Sequence, residues 1–180
     1  MKLSALRPAS GVAKSLALLL SLAAVPAWAH DHSICPAFLA VDGAPAPAHR
    51  GEITFSPYTH HWTHSAEHKP VVLIAVDEHL PGNRFCGVSL FSNSFGQPSL
   101  YMYAGRRFNR VLGVPQLFVK LTAGILYGYV EPYNNKVPLN SNGFSPAIIP
   151  SLGYQISQKN SFQVKVLGSA GLMLSFARNF

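Results

Sequence analysis

Apolar and polar positions alternate with a period of two along most of the chain, and the pattern is cleanest near the C-terminus. In "SFQVKVL", Phe162, Val164 and Val166 point one way, and Ser161, Gln163 and Lys165 the other. In "LFVKLTAGIL", Leu117, Val119, Leu121, Ala123 and Ile125 share a face opposite Lys120, Thr122 and Gly124. In "GLMLSFARNF", Leu172, Leu174 and Phe176 form the apolar face. A two-residue period is the mark of strands with one face in each environment. Read this way, the chain predicts eight strands, at 51–60, 69–78, 84–92, 99–108, 116–129, 144–155, 161–168 and 171–180. "PGN" at 81–83 and "QKN" at 158–160 carry good turn chemistry.

Lys120 and Lys165 fall on the face opposite the hydrophobic one. A soluble sandwich would have to put one of these faces in its core. A membrane barrel places the apolar face in lipid and the polar face inside. Composition agrees. The chain is 48% hydrophobic and only 12% charged, yet after residue 29 no apolar run reaches the roughly 18 residues of a spanning helix. The expected fold is therefore all-β, an eight-stranded antiparallel transmembrane β-barrel over 51–180. Phe180 is the kind of aromatic on which such barrels commonly end. With an even strand count both termini lie on one side. The loops 61–68, 93–98 and 130–143 and the tight connection near 169–170 then lie on the other.

The first 29 residues predict a secretory signal peptide. Lys2, Arg7 and Lys14 precede a short apolar run from Ser15 to Val25, and Ala27-Trp28-Ala29 is a small-x-small cleavage site. Residues 30–50, with "APAPA", predict a periplasmic arm with at most a short helical turn. Removing three of the 14 basic residues with the signal leaves a net charge of about +4. Export and the absence of Lys/Arg runs exclude nucleic acid as a partner. Outer-membrane lipids, phospholipid and lipid A, fit the charge, alongside the outer-membrane assembly machinery that any such barrel meets. A monomer in the bacterial outer membrane is expected. Cys35 and Cys86 meet an oxidising compartment, and their spacing leaves pairing open.

Candidate chemistry gathers in two loops at one rim. "YTHHWTHSAEHKP" holds His60, His61, His64 and His68. It reads as a polar rim, as a metal site, or as the source of one general-base histidine. The second loop, "SLFSNSFGQPSLYMYAG", sets Ser94 between alternating strands. A serine beside a histidine can be deprotonated to an acyl-transferring nucleophile. Pro146 and Pro150 remove ladder donors from one strand and would open a seam for a lipid tail.

"LTAGILYGY", "IIPSLGYQI" and "FSNSFGQPSLYMYAG" resemble strands of the lipid A palmitoyltransferases of Gram-negative outer membranes. That family consists of small eight-stranded barrels that move a palmitoyl chain from phospholipid to lipid A. The resemblance runs from about residue 54 to the C-terminus. It implies an outer-membrane acyltransferase or deacylase needing no metal or cofactor. The family's catalytic serine falls on Ser94, its loop histidine near His61 with His60 beside it, and the glycine flooring its acyl pocket on Gly105. Its aspartate falls on Asn93, a departure with three readings: Glu67 substitutes for the carboxylate, the Asn93 amide serves as a hydrogen-bond donor to an oxyanion or ester carbonyl, or the site is dead or repurposed. "NSFGQ" is also similar to bacterial and phage barrels labelled sn-glycerol-3-phosphate transporters. A non-enzymatic structural or small-solute barrel is thus the competing reading.

Overall fold

In a computed structural model the described residues are 33–180. The expected signal peptide at 1–29 lies outside them. Eight antiparallel strands close into a barrel in sequence order. They are β1 (Gly51–His61), β2 (Leu73–Leu80), β3 (Arg84–Ser92), β4 (Pro98–Asn109), β5 (Leu117–Tyr127), β6 (Phe144–Gln155), β7 (Asn160–Val166) and β8 (Gly171–Asn179). β1 pairs with both β2 and β8, which leaves no sheet edge. Turns at 81–83, 110–116 and 156–159 form one end, here the turn end. Loops at 62–72, 93–97, 128–143 and 167–170 form the loop end.

The outer face is apolar. Ile53, Phe55, Ile74, Val76, Leu90, Met102, Leu121, Ile125, Ile148, Leu152 and Phe176 are all exposed, as lipid contact requires. Tyr154, Phe162, Phe176 and Phe55 are successive cross-strand neighbours from β6 through β7 and β8 to β1. They make an aromatic band toward the turn end. Tyr127 packs on Phe144 at 4.7 Å toward the loop end. The two bands flank the apolar belt as aromatic girdles do.

β1 carries an irregularity with consequences for the rim. Its register against β8 shifts between Phe55 and Tyr58, at Ser56-Pro57. Proline has no N–H for the ladder, and a bulge accommodates it. Phe55 and Tyr58, three apart, both face outward. Beyond the bulge His60 sits opposite outward-facing Leu172, and His61 opposite Gly171.

The interior is filled by polar groups in its turn-end half. Lys120 reaches across from β5 to Glu52 on β1 (2.6 Å) and Asp77 on β2 (3.1 Å). The Tyr103 hydroxyl donates to Asp77 Oδ1 at 2.5 Å, and Gln163 Nε2 donates to Glu52 Oε1 at 3.0 Å. The Phe85 ring lies 4.7 Å from Lys120 Nζ. This septum divides the lumen into a loop-end cavity of about 290 Å³ and a turn-end chamber of about 370 Å³.

Gly105 faces inward beneath the septum. A Cβ there would lie 2.5 Å from Phe85 Cζ and 2.8 Å from the Leu121 carbonyl oxygen. Its missing side chain makes room for Phe85, which stands between it and the loop-end cavity. Gly105→Ala is expected to cost about 1–3 kcal/mol, because the backbone carbonyl cannot step aside. A urea-unfolding midpoint in phospholipid vesicles equal to that of the parent would refute this.

The arm is stapled to the barrel. Cys35 and Cys86 form a disulfide, with Cα atoms 5.6 Å apart. The Ile34 amide donates to Glu78 Oε2 at 2.6 Å, and Arg84 donates to the Leu39 carbonyl. Among the described residues the arm's helical content is one 3₁₀ turn, Ala37–Leu39. Residues 45–49 then run along the turn-end chamber.

Candidate functional site

Loop 93–97 is a tight turn organised by one side chain. Asn93 is buried, 1% exposed. Its Oδ1 accepts from the Phe95 and Gln97 amides, both at 3.0 Å. Two backbone donors on one atom fix which end of the amide is oxygen. Its Nδ2 donates to Gln97 Oε1 at 3.2 Å and to the Gly128 carbonyl at 3.1 Å. Both amide hydrogens are therefore used, and Asn93 clasps this loop to the loop after β5. With Asn93 so committed, none of its donors is left for an oxyanion.

Ser94 is next in this turn and lines the mouth of the loop-end cavity. Its carbonyl accepts from the Lys69 amide at 2.8 Å, tying in the loop after β1. Its side chain faces the Tyr129 phenol. Burial pushes that phenol's pKa up, offset in part by Ser94. Tyr129 therefore stays protonated at neutral pH and is a donor. Phe95 stacks on Tyr133 at 4.2 Å and meets Tyr129 edge-on at 6.3 Å. These contacts make an aromatic wall beside Ser94.

The histidines lie around this wall. The His61 and His68 rings are 4.2 Å apart, and His68 meets Phe95 edge-on at 5.8 Å. His60 faces outward and packs edge-on against Trp62. His68, which the sequence did not single out as a base, thus links His61 to the Ser94 loop. Among the described residues no three His, Cys, Asp or Glu side chains converge as metal ligands.

Below the mouth the cavity is lined by Val71, Leu73, Ala75, Phe91, Leu126 and Met173, a largely apolar wall. Lys165, Tyr103 and Lys120 make its floor polar. Lys165 Nζ has one hydrogen-bond partner, Gln163 Oε1 at 3.4 Å, and forms no ion pair among the described residues.

One side of the cavity has an incomplete wall. β6 pairs with β5 along its whole length, from Phe144 to Tyr154. With β7 it pairs only from Ser151 to Gln155. Residues 144–150 therefore have no ladder partner on the β7 side, where 167–170 also line the cavity. Alternate residues of an antiparallel strand address alternate neighbours. Pro146 and Pro150 share a parity, and full pairing with β5 assigns that parity to the open side. Both prolines are exposed on the outer face, and Pro146 also borders the cavity.

The structure thus brings Ser94, Asn93 and Pro146 to the cavity. His60, His61, Gly105 and Pro150 do not line it. Tyr129, Lys136 and Lys165 do, and the sequence reading missed all three as site residues. Tyr129 falls in the expected strand 116–129 but lies in the loop after β5, and Lys136 sits in the same loop with no period to place it.

Asn93→Asp, which writes the resembling family's Asp-Ser pair into this chain, is expected to loosen the turn. A carboxylate would face the Gly128 carbonyl and Gln97 Oε1 without a hydrogen to donate. A loss of about 1–3 kcal/mol in local stability follows, read as faster amide exchange at Phe95 and Gln97. Unchanged exchange would show that the clasp is dispensable.

No family model and no curated protein matches the chain. Among solved structures, it is similar to a chain from "De novo design of transmembrane beta-barrels", with a TM-score of 0.55 and 12% identity over 76% of this chain and 100% of that one. At that identity the likeness concerns the fold, and it agrees with the closed eight-stranded transmembrane barrel described above.

Proposed function

We propose that this barrel is a lipid-modifying enzyme of the bacterial outer membrane, transferring or removing an acyl chain on lipid A or phospholipid. The observation that carries the reading is the apolar loop-end cavity, with Ser94 at its mouth and an unpaired β6–β7 seam in its side. A tail entering sideways from the membrane would rest against Leu73, Ala75 and Met173 and bring its ester to the rim. Ser94 Oγ is then the nucleophile or the substrate-orienting hydroxyl, with His61 as base through or beside His68. The protonated Tyr129 hydroxyl supplies the donor for a developing oxyanion. Lipid A or water would accept the acyl group.

A second reading is favoured by Asn93. Position 93 carries an amide committed to the loop rather than the carboxylate that orients a catalytic histidine in a Ser-His-Asp arrangement. A barrel that binds a lipid tail without cleaving it fits the same cavity. Passage of a small solute fits less well, because the Lys120–Glu52–Asp77 septum crosses the lumen.

The test is mass spectrometry of lipid A and phospholipids from cells with the protein, without it, and with Ser94→Ala. An acyl change dependent on Ser94 supports the enzyme. Lipid that co-purifies with the barrel while cellular lipids stay unchanged supports the binding barrel.

A further inference from the structure

The loop-end cavity changes character with depth. Its middle is walled by Val71, Leu73, Ala75, Leu126 and Met173, and its floor by Lys165, Tyr103 and Lys120. A tail whose ester sits at Ser94 uses the apolar middle and leaves the polar floor without a role. The charged groups there are not equivalent. Asp77 is engaged at both oxygens, Oδ1 by the Tyr103 hydroxyl and Oδ2 by Lys120. Lys120 is held in turn by Glu52 and Asp77. Lys165 stands apart. Its ammonium has three hydrogens to give and one long contact, Gln163 Oε1 at 3.4 Å, and it forms no ion pair among the described residues. Unlike Lys120 it is only half-buried, so an occupant of the cavity can reach it. A cation at the bottom of an apolar cleft, with no counter-ion in contact, favours an anion brought by the occupant.

The topology independently gives that anion a second donor and an entrance. Ser151 is the cross-strand partner of Lys165 and lines the same cavity, and its hydroxyl reaches only the Lys120 carbonyl, at 3.5 Å. This pair is the last rung of the β6–β7 ladder. The unpaired seam facing the membrane therefore opens directly above the two donors.

We propose that the loop-end cavity binds a free fatty acid head-down, its carboxylate on Lys165 Nζ and Ser151 Oγ and its chain against Leu73, Ala75 and Met173. Polar then meets polar at the floor, and apolar meets apolar above it. The ligand is a free acid, not an ester, and its binding uses no chemistry at Ser94. It fills the space that the proposed lipid tail would need, so on that reading it is a competitor of the lipid.

The test is a binding titration of the refolded full chain, arm and disulfide included, in a non-ionic detergent at neutral pH. The probe is dodecanoate isotopically labelled at its carboxyl carbon. At about 290 Å³ the cavity is about twice the roughly 150 Å³ that takes up benzene, which suits a chain of about twelve carbons. A carboxyl resonance distinct from that of the micellar acid should appear and saturate at one per chain. Dodecanol, with the same chain and no charge, should displace it about tenfold less well than unlabelled dodecanoate. That comparison uses the parent protein and needs no variant to fold. Lys165→Met should weaken dodecanoate by about tenfold or more, and Ser151→Ala by several-fold. Folding of each variant is checked by heat-modifiable gel mobility. The proposal is overturned if no saturable signal appears, if dodecanol competes as well as dodecanoate, or if folded Lys165→Met binds as the parent does. Loss with Lys136→Met at the mouth, but not with Lys165→Met, would mean a head-up ligand and also overturns it. None of these readouts depends on acyl transfer, so failure here and failure of the enzyme reading are seen in different experiments.

Discussion

Lys120→Met will lower the stability of the barrel by about 3–5 kcal/mol, read as a shift in urea-unfolding midpoint in phospholipid vesicles. Lys120 is the cation shared by Glu52 and Asp77, and all three are buried. Removing it leaves two carboxylates facing each other across a lumen of low dielectric, with Glu52 Oε2 already lacking a partner. The size of the loss comes from stranding those charges more than from the worth of the pair. Neutralising one of them should therefore recover part of it. The double variant Lys120→Met with Glu52→Gln is expected to be more stable than Lys120→Met alone. A single-variant loss below about 1 kcal/mol would show that water enters the septum freely enough to solvate both carboxylates.

On the proposed lipid reading, Ala75→Phe will abolish lipid handling while leaving the barrel folded. Ala75 is 4% exposed and packs with Val71, Leu73 and Met173 in the wall of the loop-end cavity. A benzyl group there fills space that the acyl tail would need, at a cost to the fold of about 1–3 kcal/mol. Ser94→Ala separates the two functional readings. In an enzyme it lowers product formation by at least about a thousandfold while bound lipid remains. In a binding barrel it changes neither. Ala75→Phe should empty the cavity in both cases. Lipid still bound to a folded Ala75→Phe protein would place the tail elsewhere.

The strands were legible because lipid outside and polar groups inside impose one simple period. Where the sequence reading strayed, a local cause is visible. It starts β2 at residue 69, but the chain is irregular through Pro70 and Val72, and the ladder begins at Leu73. It runs β5 to 129, but Gly128 takes φ +130° and ends the strand at Tyr127. The rim was harder. Simple alternation from Phe55 through Pro57 and Thr59 would send His61 outward, and the bulge at Ser56-Pro57 reverses that parity. His60 is the histidine that faces out. The inward placement of Lys120 and Lys165 was readable, but not the partners of Lys120. Glu52, Asp77 and Lys120 belong to β1, β2 and β5, and only closure of the barrel brings them together. The Cys35–Cys86 link was open for a similar reason, since it depends on where the irregular arm crosses the wall.

The half-paired junction of β6 and β7 bears on mechanics as well as access. A barrel laced all the way round behaves as a hoop, and widening it requires breaking a ladder bond at every level. Here the lacing stops at Ser151 and Lys165. The turn half is a closed ring braced by the septum. The loop half is a split collar, because β1 likewise has no β2 partner beyond Ser56, and side-chain packing holds it shut at both junctions. Its circumference can grow by spreading at these two slits while the other six junctions keep their registers. The loop-end cavity is thus set in the compliant part of the molecule and the turn-end chamber in the stiff part. Changes in bilayer tension or thickness would be felt first at Ile148 and its neighbours, on the free lip of the collar.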